Sequence, residues 1–232
     1  MKIRLDKLIS NMGYGSRSEI KKNAKKGLIK VNNVIEKNSG KLVDTEEDIV
    51  KYKDETIEYR QFIYLLMNKP KGYISATEDS YHETVLDLLD DYHKSFLPAP
   101  IGRLDIDTEG LLLLSNDGKF NHELTSPKKN VPKTYYVELA RKIEDDYEKI
   151  FKKGIKLMPE NIVTKPAEFK VLTEKTCELT IYEGKFHQVK RMFEEVGNRV
   201  IYLKRIKMGY FELPMDLEPG EYIELREEEI KL

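Results

Sequence analysis

Leucine occupies four successive positions, 111 to 114, between Gly110 and the turn-forming Asn116-Asp117-Gly118. A short unbroken apolar run bounded by turn residues reads as a buried strand, so the chain folds around a sheet. The residues leading into that strand, Gly102-Arg103-Leu104-Asp105-Ile106-Asp107-Thr108-Glu109, form a dense polar loop. A loop at a strand's entrance gives a carboxylate fixed geometry with an open face, which is where catalytic groups are commonly carried. Asp105 is therefore the first candidate for chemistry, against the plainer reading of an acidic turn or helix cap.

The same string imitates the start of a calcium loop. Such a loop requires a bidentate Glu at its twelfth position, and Asn116 stands there. No metal site is assigned.

A length of 232 residues with 40% hydrophobic content suits one large domain or two smaller ones. Charge favours two. Residues 1–43 hold 11 Lys plus Arg against 3 Asp plus Glu, a net of +8, which leaves −9 for the other 189. Clustered cations release counterions when they neutralise phosphates, giving salt-sensitive affinity for nucleic acid; a solvated helix face is the alternative. The single cysteine, Cys177, excludes an internal disulfide framework and a Cys-rich zinc site, and reads as strand interior. The N-terminal MKIRLDKLIS lacks a signal peptide's apolar core, and no segment approaches the ~18 apolar residues of a membrane span. A soluble cytoplasmic protein with no membrane partner is expected.

The string GRLDIDTEGLLLLSNDG resembles the signature of the RsuA-type pseudouridine synthases, which isomerise one uridine in ribosomal RNA. Further motifs follow the family's order: Asn68-Lys69-Pro70-Lys71-Gly72, Lys133-Thr134-Tyr135, and the basic run from Glu183 to Phe193, EGKFHQVKRMF. The resemblance implies that Asp105 is the catalytic residue, that Tyr135 stacks on the target base, and that Lys190 is the aspartate's basic partner. Many relatives carry Arg at that last position, and Lys lacks the bidentate fork, so Arg191 is an alternative partner. Leu203 resembles the apolar residue that packs under the uracil.

The head resembles an S4-type RNA-binding domain, assigned to residues 1–58, with the catalytic domain over 59–232. Ile3, Leu5, Leu8 and Ile9 place an apolar stripe on a first helix, and Ser16-Arg17-Ser18-Glu19 has capping-box spacing for a second that stops near Gly27. Arg4, Arg17, Ser18, Lys21 and Lys22 are its candidate RNA contacts. Strands over 28–31 and 34–35 join through Asn32-Asn33, and a linker is expected over 55–61. Beyond it, strands alternate with helices over 84–89, after Gly118, over 144–152 and over 187–197, ending in a hairpin around Pro219-Gly220 and a solvated acidic run at 227–229. Few strands follow a regular βαβ rhythm, so the expected class is α+β, with a mixed, largely antiparallel sheet flanked by helices.

Isomerising uridine needs no redox cofactor, metal or ATP, and the chain lacks a Walker loop, a GxGxxG turn and a zinc-ligand cluster. It does need a group to hold the ribose or base while the base turns over, and a carboxylate can do so covalently. The target must also leave its stack. Arg103, two residues before Asp105, can fill the vacated space by stacking, although a salt bridge within the loop competes. The Phe186-His187 pair looks more like the small-subunit 16S rRNA synthase than its large-subunit relatives. The expected function is isomerisation of one 16S rRNA uridine by a monomer acting on a partly assembled small subunit. The alternatives are a 23S rRNA synthase and a noncatalytic assembly factor.

Overall fold

The computed structural model describes residues 1–230, which divide into two compact units. The first comprises Met1–Ile63 together with Leu89–Pro98. It contains β1 (Lys2–Arg4), α1 (Leu5–Asn11), α2 (Arg17–Lys25), β2 (Ile29–Val31), β3 (Val34–Ile35), β4 (Leu42–Asp44), β5 (Val50–Tyr52), β6 (Glu55–Thr56) and α3 (Asp91–Ser95). Ile3 and Arg4 are strand residues, contrary to the helical reading, because β1 pairs antiparallel with β4 and sets Ile3 opposite Val43. Leu5, Leu8 and Ile9 are buried on α1 as the stripe requires.

The capping box forms as its spacing predicts. Ser16 Oγ accepts the Glu19 backbone N–H at 3.3 Å, and Glu19 Oε2 accepts the Ser16 N–H at 2.8 Å. Asn32 and Asn33 take φ of 52° and 65° in the β2–β3 turn, a left-handed pair that Asn tolerates and that matches the twist of a two-residue hairpin. β6 occupies the start of the expected linker, pairing with β5.

The second unit, Tyr64–Leu88 with Ala99–Leu232, contains β7 (Tyr64–Lys69), β8 (Ala99–Ile101), β9 (Glu109–Ser115), α4 (Gly118–Thr125), β10 (Lys133–Leu139), α5 (Tyr147–Lys153), β11 (Lys156–Leu157), β12 (Ile162–Val163), β13 (Glu168–Val171), β14 (Thr176–Ile181), α6 (Gln188–Glu195), β15 (Val200–Met208), β16 (Phe211–Glu212) and β17 (Tyr222–Glu224). Among the described residues the main sheet runs β13-β14-β10-β15-β9-β7-β17, with β8 on β9 and β16 on β15. Every pairing in it is antiparallel except β9 with β15, which makes the sheet mixed and largely antiparallel, as expected. The four leucines of β9 are fully buried. Tyr147, Phe151, Phe169 and Phe193 form an edge-to-face aromatic cluster joining α5, β13 and α6.

Three local expectations are corrected. Residues 84–89 form a turn, not a helix: Asp87 Oδ2 accepts both Thr84 N–H and Oγ1–H, at 2.7 and 3.0 Å, and closes it. The helix expected from 144 starts at Tyr147. The chain at Pro219-Gly220 does not fold back as a hairpin; it feeds β17, which pairs with β7. Residues 227–229 form a single 3-10 turn in which Glu228 and Glu229 are exposed.

Candidate active site

The polar loop before β9 is fixed by its backbone. Lys69, at the end of β7, is completely buried and its Nζ donates to the carbonyls of Pro70, Asp105 and Thr108 at 3.0, 3.2 and 2.9 Å. Burial pushes this ammonium down to about 8, although Asp107, Glu109 and Asp105 favour its charge. Ser75 Oγ donates to the Leu104 carbonyl and accepts the Leu104 N–H, both at 3.1 Å, and the Gly72 N–H reaches the Ile106 carbonyl at 2.8 Å. The Asn68–Gly72 motif and Ser75 thus clamp the loop from behind, leaving the Asp105 side chain partly exposed.

Glycine is mandatory where the loop enters β9. Gly110 has φ of +100°, and a Cβ there would lie 2.2 Å from the Arg205 carbonyl oxygen. This close approach is the parallel β9–β15 junction, in which Glu109 faces Lys204 and Gly110 faces Arg205.

Helix α6 brings the basic partner. Val189, Met192 and Phe193 are buried on one side, as the sequence predicts, and Lys190 projects from another. Its Nζ lies 3.0 Å from Asp105 Oδ2 and 2.6 Å from Asp107 Oδ1. Burial opposes the charge of Lys190, but hydrogen bonds to Asp107 and Asp105 outweigh it and hold the ammonium above its ordinary value. For Asp107, burial is likewise outweighed by Lys190, and the carboxyl sits below the usual carboxylate range. His187 Nε2 stands 3.6 Å from Asp105 Oδ1. Gln188 and Glu183 fasten the start of α6: Gln188 Oε1 accepts the Lys185 N–H at 2.9 Å and its Nε2 donates to Glu183 at 3.1 Å.

Arg191 turns away from Asp105. It donates to the Phe186 and Met158 carbonyls at 3.1 and 2.7 Å and pairs with Glu160, so the partner of Asp105 is Lys190. Arg191 does not line the cleft.

Asp105, Lys190, Arg103, Tyr135 and Leu203 line one cleft of about 1120 Å³, above the range of about 300–1,000 Å³ typical of small-molecule pockets. Tyr135 and Leu203 are nearly buried in its wall, on the adjacent strands β10 and β15. Arg103 is exposed and makes no hydrogen bond or ion pair among the described residues, so the salt bridge that competed with its role as a wedge is not formed. The cleft lining also includes Lys133 and Arg205, to which the sequence reading gave no role. A Lys-x-Tyr and a Leu-x-Arg placed at period two on neighbouring strands were the signal that could have found them.

The candidate RNA contacts lie in the first unit. Arg4 and Arg17 both donate to the buried carboxylate of Asp6, at 2.8 and 2.9 Å, and their hydrogen bonds, Arg4's foremost, hold Asp6 below its ordinary value against burial. Lys21 and Lys22 are exposed on α2 and make no ion pair among the described residues. Ser18 Oγ lies 3.0 Å from Ser16 Oγ at the helix start. Among the described residues no helix is long and apolar enough to cross a membrane.

The RNA pseudouridylate synthase family matches residues 63–195, and the S4 domain family matches residues 3–50. An uncharacterized RNA pseudouridine synthase of Bacillus subtilis is 48% identical over 99% of this chain and 98% of its own length. Ribosomal small subunit pseudouridine synthase A of Vibrio cholerae is 42% identical, and that of Escherichia coli 41%, each over 98% of both chains. A pseudouridylate synthase crystal structure superposes with a TM-score of 0.69 at 38% identity, covering 98% of this chain and 97% of that one. The chain belongs to the RNA pseudouridylate synthase family and carries an S4 domain ahead of its catalytic domain.

Proposed function

We propose that this enzyme isomerises one specific uridine of 16S rRNA in the small ribosomal subunit, with Asp105 as its nucleophile. The observation that carries the reading is the Lys190 ammonium seated between the Asp105 and Asp107 carboxylates in a cleft that also holds Tyr135 and Leu203. A charge-assisted hydrogen bond fixes the direction of the Asp105 carboxylate, and the clamp from Lys69 and Ser75 fixes its backbone, so the reacting group is set before substrate arrives.

The target nucleotide leaves its stack at a cost of about a few kcal/mol, and Arg103 fills the vacated space. The N1–C1′ bond then breaks while Asp105 either attacks C1′ or takes the C2′ proton to give a glycal. The base turns, and C5 bonds to C1′ as the Asp105–C1′ bond breaks, or as Asp105 returns the proton to C2′; the C5 proton is lost with Tyr135 stacked on the ring, and N1 gains a proton. Atoms and electrons are conserved, and no cofactor enters. Leu203 packs beneath the uracil.

Full-length similarity to the Vibrio cholerae and Escherichia coli small-subunit enzymes supports 16S rRNA as the substrate, and the exposed cations of α2 suit docking on RNA phosphates. The test is pseudouridine mapping of 16S and 23S rRNA, in partly assembled particles, after incubation with the intact protein and with Asp105→Asn. One new site in 16S rRNA that requires Asp105 is expected. A site in 23S rRNA would overturn the substrate, and pseudouridine formed by Asp105→Asn would overturn the nucleophile.

A further inference from the structure

Arg205 is the largest fully buried side chain among the described residues, 1% exposed, although it carries a permanent charge. Its Nε donates to the Leu111 carbonyl at 2.8 Å, and its Nη2 has no hydrogen-bond partner among the described residues. Lys133 lies in the same cleft lining. Its Nζ donates only to the Val131 carbonyl, at 3.0 Å, and burial, aided by Arg205 and Lys165, pushes the ammonium down to about 8. Neither cation forms an ion pair with a carboxylate among the described residues.

Strand register explains how the two meet. On β10, Lys133 and Tyr135 share a face; on β15, Leu203 and Arg205 share one, and Tyr135 stands opposite Arg205 across the ladder. The four side chains therefore line the same part of the cleft. A buried guanidinium without a counter-charge costs about several kcal/mol, and a second cation beside it adds repulsion. Such an arrangement leaves hydrogen-bond donors available to a ligand that brings electron density to it.

We infer that Arg205 and Lys133 form a subsite for the carbonyl edge of the target uracil, donating hydrogen bonds to its oxygen and taking up the charge of the departing base. The inference rests on the reading that a uridine enters this cleft. When the N1–C1′ bond breaks, its electron pair goes to the base, which becomes an anion delocalised over its ring nitrogens and carbonyl oxygens. The ribose is meanwhile held by Asp105 at C1′, or has given Asp105 its C2′ proton. Attack of C5 on C1′ returns the pair to a bond, as the Asp105–C1′ bond breaks and its pair goes back to the carboxylate, or as Asp105 gives the proton back to C2′; the transfer of the C5 proton to solvent and of a proton to N1 restores neutrality. Cations fixed at the oxygen lower the barrier to that detachment. The occupant is the base and not a phosphate, because Arg205, Tyr135 and Leu203 are nearly closed off; a flat ring can slide between such walls, whereas a tetrahedral phosphate stays with the backbone at the mouth.

The experiment compares Arg205→Gln and Lys133→Met with the intact protein on an RNA carrying uridine or 5-fluorouridine at the target, reading single-turnover loss of the N1–C1′ bond. Fluorine stabilises the departing anion by itself. Each variant is expected to slow the uridine substrate by about 100-fold or more, the loss seen for a missing oxyanion donor, and the fluorinated substrate by less than a tenth of that. Equal slowing of both substrates, or no slowing, would overturn the subsite. Lys133 is only partly buried, so Lys133→Met decides the matter alone if Arg205→Gln does not fold. An intact protein that leaves uridine unchanged would instead overturn the proposed function, a separate result.

Discussion

Lys69 Nζ donates to the backbone carbonyl of Asp105 at 3.2 Å, while a different lysine holds the carboxylate of the same residue. Backbone and side chain are thus fixed independently. Replacing Lys69 by Met takes the lysine donor from the Pro70 and Thr108 carbonyls, each costing about 1–3 kcal/mol when left unpaired, partly offset by removing a buried charge; the Asp105 carbonyl keeps the Thr108 N–H at 3.0 Å. Lys69→Met should lower Tm by about 5–10 °C and reduce kcat with KM little changed. Thermal melts with steady-state kinetics check this, and an unchanged Tm would sink the clamp.

Lys190 serves two carboxylates unequally. Lys190→Gln should cut kcat/KM by about 100-fold or more, because it removes the charge beside Asp105. Asp107→Asn leaves that contact intact and should cost about tenfold or less. A reversed order in single-turnover rates would assign the reacting carboxylate to Asp107.

Gly110 is fixed by contact with Arg205, not by its turn alone. Gly110→Ala forces a Cβ to within 2.2 Å of a backbone oxygen and a side chain into a positive φ, a strain of about 1–3 kcal/mol before the clash is counted. A Tm lower by about 10 °C, or an insoluble chain, is expected. A melt within 2 °C of the parent, roughly the shift of under 1 kcal/mol, would show that the junction can open.

Lys133 predicts a pH profile. Its ammonium is needed charged and titrates at about 8, so kcat/KM should fall as pH rises through that value. Arg205 and Lys165 are the cations that act on it. In Lys133→Arg the fall should move above pH about 10, since guanidinium stays protonated. A lysine with a depressed native pKa binds fewer protons folded than unfolded between about 8 and 10, so its contribution to stability rises with pH there, and unfolding does not mimic the loss. Lys69 also titrates at about 8; a fall that persists in Lys133→Arg would assign the limb to Lys69.

Lys21 and Lys22 are tested through salt. Each phosphate contact contributes about 0.7–0.9 to the slope of log affinity against log salt. Lys21→Ala with Lys22→Ala should flatten that slope by about 1.4–1.8 and weaken RNA binding without altering single-turnover rate at saturation. An unchanged slope removes these residues from the RNA contact.

What could be read from the chain was whatever local chemistry decides. The β9 leucines, the Ser16–Glu19 box and the buried face of α6 depend on neighbours within a turn or two, and all three formed as their spacing predicts. Ile3 was misplaced because a three-residue strand and the first turn of a helix present the same apolar pattern. The turn at 84–89 was misread because Asp87, which caps it, resembles any polar residue of a short helix. Lys69 and Arg205 escape a reading of the sequence for one reason: each is a cation on a buried strand, and its partners include carbonyls 36 or more residues away. Composition carries no trace of such partners.

The assignment of Leu89–Pro98 to the first unit means that the polypeptide passes from one unit to the other three times. Neither unit is a contiguous stretch of gene, so no single cut separates them. A truncation after residue 58 or 63 removes most of the head yet leaves a ten-residue piece of it in the catalytic half, and a domain exchanged at that point would inherit a foreign α3. A faithful graft has to move two segments together.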